Sequence, residues 1–289
     1  MVKRILVGWD PDEPGRAPAL FGAAVSRYTG APLTVVVVHA ASSAFAAVGH
    51  DLINAEGEDR THRRLDELRR ALAGEFRVRA ECISRPGSEP AKELRRTARE
   101  FGAGLVVVGS SARGGLKRLT SSPTAARLLH EAPCPVAVVP GGWEAGGGLH
   151  TIGAAFEDAS AEAQDALMTA MALGGRAGAK VRVIAAVDAP EDVAGAGTAA
   201  RAVAEAGTGP AKVDVDVRVG DAADTIIEAS ADMDLLICGS RGAGRMHSRI
   251  VGSVSRRVTS EAHCPVIVLA RGIQSGLDDI FADRAATPA

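Results

Sequence analysis

The sequence predicts an α/β protein made of two tandem, open, five-stranded parallel sheets flanked by helices, and three observations carry that expectation. The chain has 289 residues, more than one domain usually holds. Its apolar content of 46% comes with only 3% aromatics, so the cores must be filled by Val, Leu, Ile and Ala, the residues of a parallel sheet covered on both faces. The third observation is an internal repeat: Gly109-Ser110 follows the apolar run Leu105 to Val108 just as Gly239-Ser240 follows Leu235 to Cys238. The same number of residues then leads to Ala132-Pro133-Cys134-Pro135-Val136 in one half and Ala262-His263-Cys264-Pro265-Val266 in the other.

The elements follow in order. In half one, strands are expected over Arg4 to Trp9, Leu33 to His39, Arg77 to Ile83, Leu105 to Gly109 and Val136 to Val139. In half two they are expected over Thr151 to Phe156, Val181 to Val187, Val213 to Val219, Leu235 to Gly239 and Val266 to Leu269. Between them, Arg16 to Tyr28, Pro90 to Phe101, Ala161 to Leu173 and Ala222 to Ala231 repeat apolar residues three and four apart, the helical period. Half one is longer in the middle, where the charged stretch Asp59 to Gly74 reads as helix; half two has the Ala/Gly-rich Pro190 to Gly209 there. The glycine-rich run Gly141 to Gly148 reads as a linker, so domains are expected over residues 1–141 and 149–272, with a tail at 273–289. Alternating strands and helices imply right-handed crossovers and a ligand site beyond the carboxyl ends of the strands.

Composition removes several classes of function. Thirty-three basic and 35 acidic residues give a net charge of −2, which disfavours general binding to nucleic acid or an anionic membrane. The opening apolar run meets Asp10 too early for a signal-peptide core, and no stretch approaches the ~18 apolar residues of a membrane span, so a cytoplasmic protein is expected. The four cysteines form no Cys-x-x-Cys pair and the seven histidines no His-x-x-x-His pair, so neither a metal centre nor a catalytic residue is expected.

The chemistry concentrates in Gly239-x-x-Gly242-x9-Gly252-Ser253, between a strand and an apparent helix. Glycines let the backbone approach a ligand, and helix-start N–H groups with the helix dipole attract anions by ~0.3 to 1 kcal/mol per exposed charge. Ser253 is expected at the N-cap. Arg241, Arg245, His247 and Arg249 are either phosphate-steering or a solvated basic loop. The pattern is neither a Walker A loop nor the Gly-x-Gly-x-x-Gly fingerprint.

This spacing, with Gly-Ser-Arg-Gly and Cys-Pro-Val-Ile-Val around it, resembles the nucleotide signature of the universal stress protein family, and the likeness covers nearly the whole chain twice. The resemblance implies a Rossmann-like, adenine-nucleotide α-hydrolase-like fold that binds ATP, with Mg2+ as an optional companion of the phosphates. Carried over residue by residue, it places Glu157, with Ala155 before it, against the nucleoside; Val187 near adenine; Cys238 in the base pocket; and Gly239, Arg241, Gly242, Gly252, Ser253 and Val254 around ribose and phosphates. It also implies that Val136 to Val139 pairs with Val266 to Leu269 as an intramolecular pseudo-dimer, with further homodimerisation left open.

Half one departs from this pattern. It keeps Asp10 and Gly109, but Ala112 replaces the second glycine and Ser122-Pro123 stands where half two has Gly252-Ser253. A proline removes one N–H, and Ser122 would resist a left-handed backbone if one were required, so nucleotide binding there is expected to be weak or lost. Three readings stay open: a nucleotide-responsive stress regulator with an unknown protein partner, a slow ATPase, or a ligand-free interaction module.

Overall fold

The computed structural model describes residues 3–12, 15–39, 51–110, 122–144, 146–157, 160–207, 211–240 and 252–269. Half one runs β1 (Arg4–Gly8), α1 (Ala17–Thr29), β2 (Leu33–His39), α2 (Asp51–Phe76), β3 (Ala80–Pro86), α3 (Pro90–Glu100), β4 (Ala103–Gly109), α4 (Pro123–Glu131) and β5 (Val136–Val139). Half two repeats the order: β6 (Thr151–Ala155), α5 (Ala161–Ala177), β7 (Lys180–Val187), α6 (Val193–Ala206), β8 (Val213–Val219), α7 (Ala222–Ala229), β9 (Leu235–Gly239), α8 (Ser253–Glu261) and β10 (Val266–Leu269).

The two five-stranded sheets join into one sheet of ten, in the order β3-β2-β1-β4-β5-β10-β9-β6-β7-β8. Every neighbouring pair is parallel except the central one, where β5 and β10 run antiparallel with Val138 opposite Val266 and Ala137 opposite Ile267. The order therefore reverses about this seam, as an intramolecular pseudo-dimer requires. All four residues of β5 are buried, so the seam covers what would otherwise be an apolar edge in each half.

Strand side chains alternate between faces even where both faces are buried. Ile5 and Val7 join a core shared by both halves, with Phe21 of α1, Leu68 and Leu72 of α2, and Leu167 of α5. Leu6 points the other way into a core confined to half one, with Leu94 and Leu128. The matching core of half two holds Ile226, Leu236 and Val258. One face of the sheet is thus a joint core, and the other holds two cores with Leu129 of α4 packed against both.

Both bounds expected for β3 shift. The strand expected from Arg77 starts at Ala80, because α2 continues to Phe76 and Arg77 takes a positive φ of 57° to leave the helix. Pro86 ends β3, as an edge strand allows. The Ala/Gly-rich stretch of half two forms a 3-10 turn over Pro190–Asp192 and then α6, its alanines outweighing its glycines. Both α1 and α5 stop at a left-handed glycine, Gly30 and Gly178. A Cβ at Gly178 would touch nothing within 4 Å, so Gly178→Ala isolates the backbone cost of the left-handed cap. It should lower stability by about 1 kcal/mol in urea denaturation.

Candidate functional site

Half two closes its strand ends around a small cavity of about 40 Å³. Of the residues named from sequence, Ala155, Glu157, Cys238, Gly239 and Val254 line it. Val187 does not; β7 contributes Ala186, because successive side chains of a strand face opposite sides. Gly252 and Ser253 sit at the start of α8, outside the lining, and Arg241 and Gly242 lie outside the described residues.

The helix start differs from its expected form. Gly252, not Ser253, is the N-cap, at φ −62° and ψ 161°, and no side chain among the described residues caps α8. That extended backbone is open to any residue, so neither Gly252 nor its counterpart Ser122 serves a left-handed turn. Gly252 N–H donates to Ser240 O at 2.7 Å and Arg256 N–H closes onto Gly252 O at 3.0 Å. The first-turn N–H groups of Ser253, Val254 and Ser255 receive no side-chain cap among the described residues. Ser255, which sequence reasoning missed, donates its hydroxyl to Gly239 O at 2.8 Å and so ties α8 to the end of β9. Its signal was only a polar residue on an otherwise buried helix face.

Arg257 links α8 to α7 through Asp221 at 3.3 Å and Asp224 at 2.6 Å. These ion pairs tie α8 to α7. Asp221 is itself the N-cap of α7, accepting from Asp224 N–H at 2.9 Å.

Half one presents the other outcome of the same architecture. Its cavity, at the ends of β1, β2 and β4, holds about 250 Å³ and is lined by Asp10 and Gly109, named from sequence, and by Trp9, Asp12 and Ser110, which were not. Its helix start is closed: Ser122 Oγ accepts the Thr124 N–H at 3.2 Å and Pro123 occupies the first helical position. Asp10 does not cap α1, whose N-cap is Arg16; Asp10 Oδ1 instead accepts the Asp12 N–H at 2.9 Å. The cap of α5 is Ser160, not Glu157.

The cysteines are structural. Burial pushes the thiols of Cys134, Cys238 and Cys264 up to about 12, whereas Cys82 is only half-buried and raised chiefly by the same desolvation. A raised thiol stays protonated and unreactive at neutral pH. An aromatic disulfide reagent at pH 8 should therefore modify Cys82 first, with the other three reacting only after denaturation; fast reaction of Cys238 in the native protein would contradict this packing. Among the described residues, no cluster of His, Cys, Asp or Glu is placed to hold a metal, and no helix is long and apolar enough to cross a membrane.

Comparison with known proteins places this architecture. The sequence profile of the universal stress protein family matches the chain twice, over residues 1–140 and 150–270. The chain belongs to the universal stress protein family. A universal stress protein of Mycobacterium tuberculosis is 35% identical over 81 residues, spanning 28% of this chain and 30% of that protein. A Thermus aquaticus universal stress protein is 38% identical over 71 residues, 24% of this chain and 52% of that one. The chain thus matches well under two thirds of either relative's length. The crystal structure of an Archaeoglobus fulgidus universal stress protein superimposes with a TM-score of 0.69 at 18% identity, covering 93% of this chain and 98% of that one, a likeness of fold.

Proposed function

We propose that this universal stress protein binds ATP in half two and uses its occupancy to signal to a protein partner from the cytoplasm. The observation that carries the reading is the start of α8 directly after Gly252, which no side chain caps among the described residues, beside a cavity lined by Cys238, Ala155 and Glu157. Three first-turn N–H groups and the helix dipole suit a phosphate, and the apolar wall formed by Ala155, Cys238 and Ile226 suits a base. Glu157, two residues past the end of β6, suits the ribose hydroxyls.

The cavity of about 40 Å³ lies far below the ~300 Å³ at which ligand pockets usually begin. ATP therefore has to widen it, and the side chains that give way set the affinity. That requirement also supplies a signalling device: the widened and closed states differ, and a partner that distinguishes them feels the nucleotide. Arg241 and Gly242 belong to this proposal as phosphate contacts, and Mg2+ as a companion ion held by the phosphates themselves.

Titration of the purified protein with ATP by calorimetry tests the reading. Saturable binding that is lost when half one's Ser-Pro pair replaces Gly252-Ser253 supports it; binding unaffected by that exchange removes half two from the proposal.

A further inference from the structure

We infer that the amino ends of the strands carry a further ligand site, in the cavity between α1, α2 and the segment joining the halves, and that it takes a planar aromatic carboxylate. The cavity holds about 300 Å³ and is lined by Arg27 and Tyr28 of α1, Glu75 and Phe76 of α2, and Trp143 and Leu149 of the joining segment. Tyr28 and Phe76 stand near the ends of helices that lead into β2 and β3, and Leu149 comes just before β6. The site therefore lies at the opposite end of the sheet from the two strand-end cavities described above. Three aromatic side chains meet in it, although aromatics make up only 3% of the chain. A space of this size with aromatic walls and a few polar groups suits a small molecule.

The walls are fixed. Trp143 packs against Phe21, with ring centroids 5.6 Å apart and planes at 85°. The joining segment passes over Tyr28 with Gly147 at φ 94° and Gly148 at φ 145°, both in the region that favours glycine. A Cβ at Gly148 would stand 2.7 Å from Tyr28 Oη. Only glycine there lets the chain come close enough for Leu149 N–H to donate to that oxygen at 3.2 Å. Gly147 and Gly148, read in the sequence as part of a flexible linker, thus form a fitted wall.

The polar groups choose the ligand. Among the described residues, Tyr28 Oη accepts but gives its own proton to no acceptor, the Trp143 indole N–H donates to none, and the Arg27 guanidinium meets no carboxylate. Arg27 instead lies over the Tyr28 ring, 5.8 Å from its centroid. Glu75, the one acid of the lining, pairs with Arg16 at 3.9 Å and so has a cation of its own. The unmet groups are all donors. A flat aromatic body suits the space among Tyr28, Phe76 and Trp143, and a carboxylate at its edge accepts from Arg27 in a charge-assisted, forked pair.

The repeat does not build this site twice. Counting back from the C-cap glycines Gly30 and Gly178, Arg27 and Tyr28 correspond to Gly175 and Arg176, and both tryptophans of the chain, Trp9 and Trp143, precede half two. The site belongs to the joint of the tandem chain and not to the repeated domain.

Equilibrium dialysis of the full chain against 2-naphthoate and its uncharged counterpart 2-naphthamide tests the proposal. One naphthoate should bind per chain, at least tenfold more tightly than the amide. Arg27→Gln, at an exposed position, should weaken naphthoate at least tenfold, leave the amide unchanged and keep the melting temperature. Ala24→Leu, which puts a larger side chain in the lining of an open space, should weaken both compounds at least tenfold. If that variant fails to fold, Arg27→Gln alone decides. No saturable naphthoate binding, an amide that binds as tightly, or an Arg27→Gln variant with full affinity for naphthoate would each overturn the proposal. None of these measurements involves Gly252-Ser253, so their outcome is separate from that of the ATP titration.

Discussion

Exchanging Gly252-Ser253 for Ser-Pro is expected to cut ATP affinity in half two by at least tenfold while leaving the fold intact. The fold is safe because the chain already performs this exchange on itself: α4 begins with Ser122-Pro123 at the equivalent point and runs the same length as α8. Proline is well tolerated at the first helical position, and a serine N-cap is better than the glycine it replaces by about a few tenths of a kcal/mol. What changes is the set of donors. Ser253 N–H disappears with the proline, and the new serine hydroxyl competes for Val254 N–H as Ser122 Oγ does for Thr124 N–H at 3.2 Å. A hydrogen bond to a charged acceptor contributes ~1.5 to 3 kcal/mol, and ~1.4 kcal/mol is tenfold in affinity, so losing one such bond already reaches the expected effect. Calorimetric titration paired with a melting curve separates the outcomes. A variant that melts no lower yet binds ATP at least tenfold more weakly is the expected result. Equal affinity would mean that the phosphates do not use this helix start.

Much of this was legible in the sequence, and the parts that were not share a cause. The bounds of β2, β5, β8, β9 and β10 coincide with those read from the apolar runs, because in a parallel sheet covered on both faces a strand is simply a run of Val, Ile and Leu between polar turns. The two loops were legible as unequal because the repeat supplies its own comparison. Sidedness was not: nothing in Ala186-Val187 says which of two adjacent residues faces the cavity until the register of β7 is fixed by β6 and β8. Nor was the cap, since Gly252 and Ser253 are both acceptable N-caps and only the backbone angles choose. Cavity size was least legible of all. Gly8 and Ala155 differ by one methyl, yet that methyl belongs to the floor of the site, and Ser110 looks like any loop serine until its burial is known.

Phe21→Ala is expected to destabilise the whole chain, not half one alone, by about 3 to 5 kcal/mol. Phe21 is fully buried on α1 and meets the Trp143 ring edge-on, with centroids 5.6 Å apart at 85°. Trp143 lies between the last strand of half one and the first of half two, so the contact ties the connecting segment to the core that both halves share. An edge-to-face pair adds ~0.5 to 1.5 kcal/mol beyond the area it buries, and the remainder is the cavity left by the ring. Leu128→Ala is the matched control: Leu128 is equally buried, but its core belongs to half one only. If the shared face couples the halves, Phe21→Ala unfolds in a single urea transition, shifted equally by far-ultraviolet circular dichroism and by tryptophan emission. Leu128→Ala, with the joint core intact, loses ~2 to 5 kcal/mol from half one, and its two probes are free to separate. A Phe21→Ala chain that unfolds in two well-spaced steps, with half two at its normal midpoint, would show that the β5–β10 seam and the joint core join the halves without making them one cooperative unit.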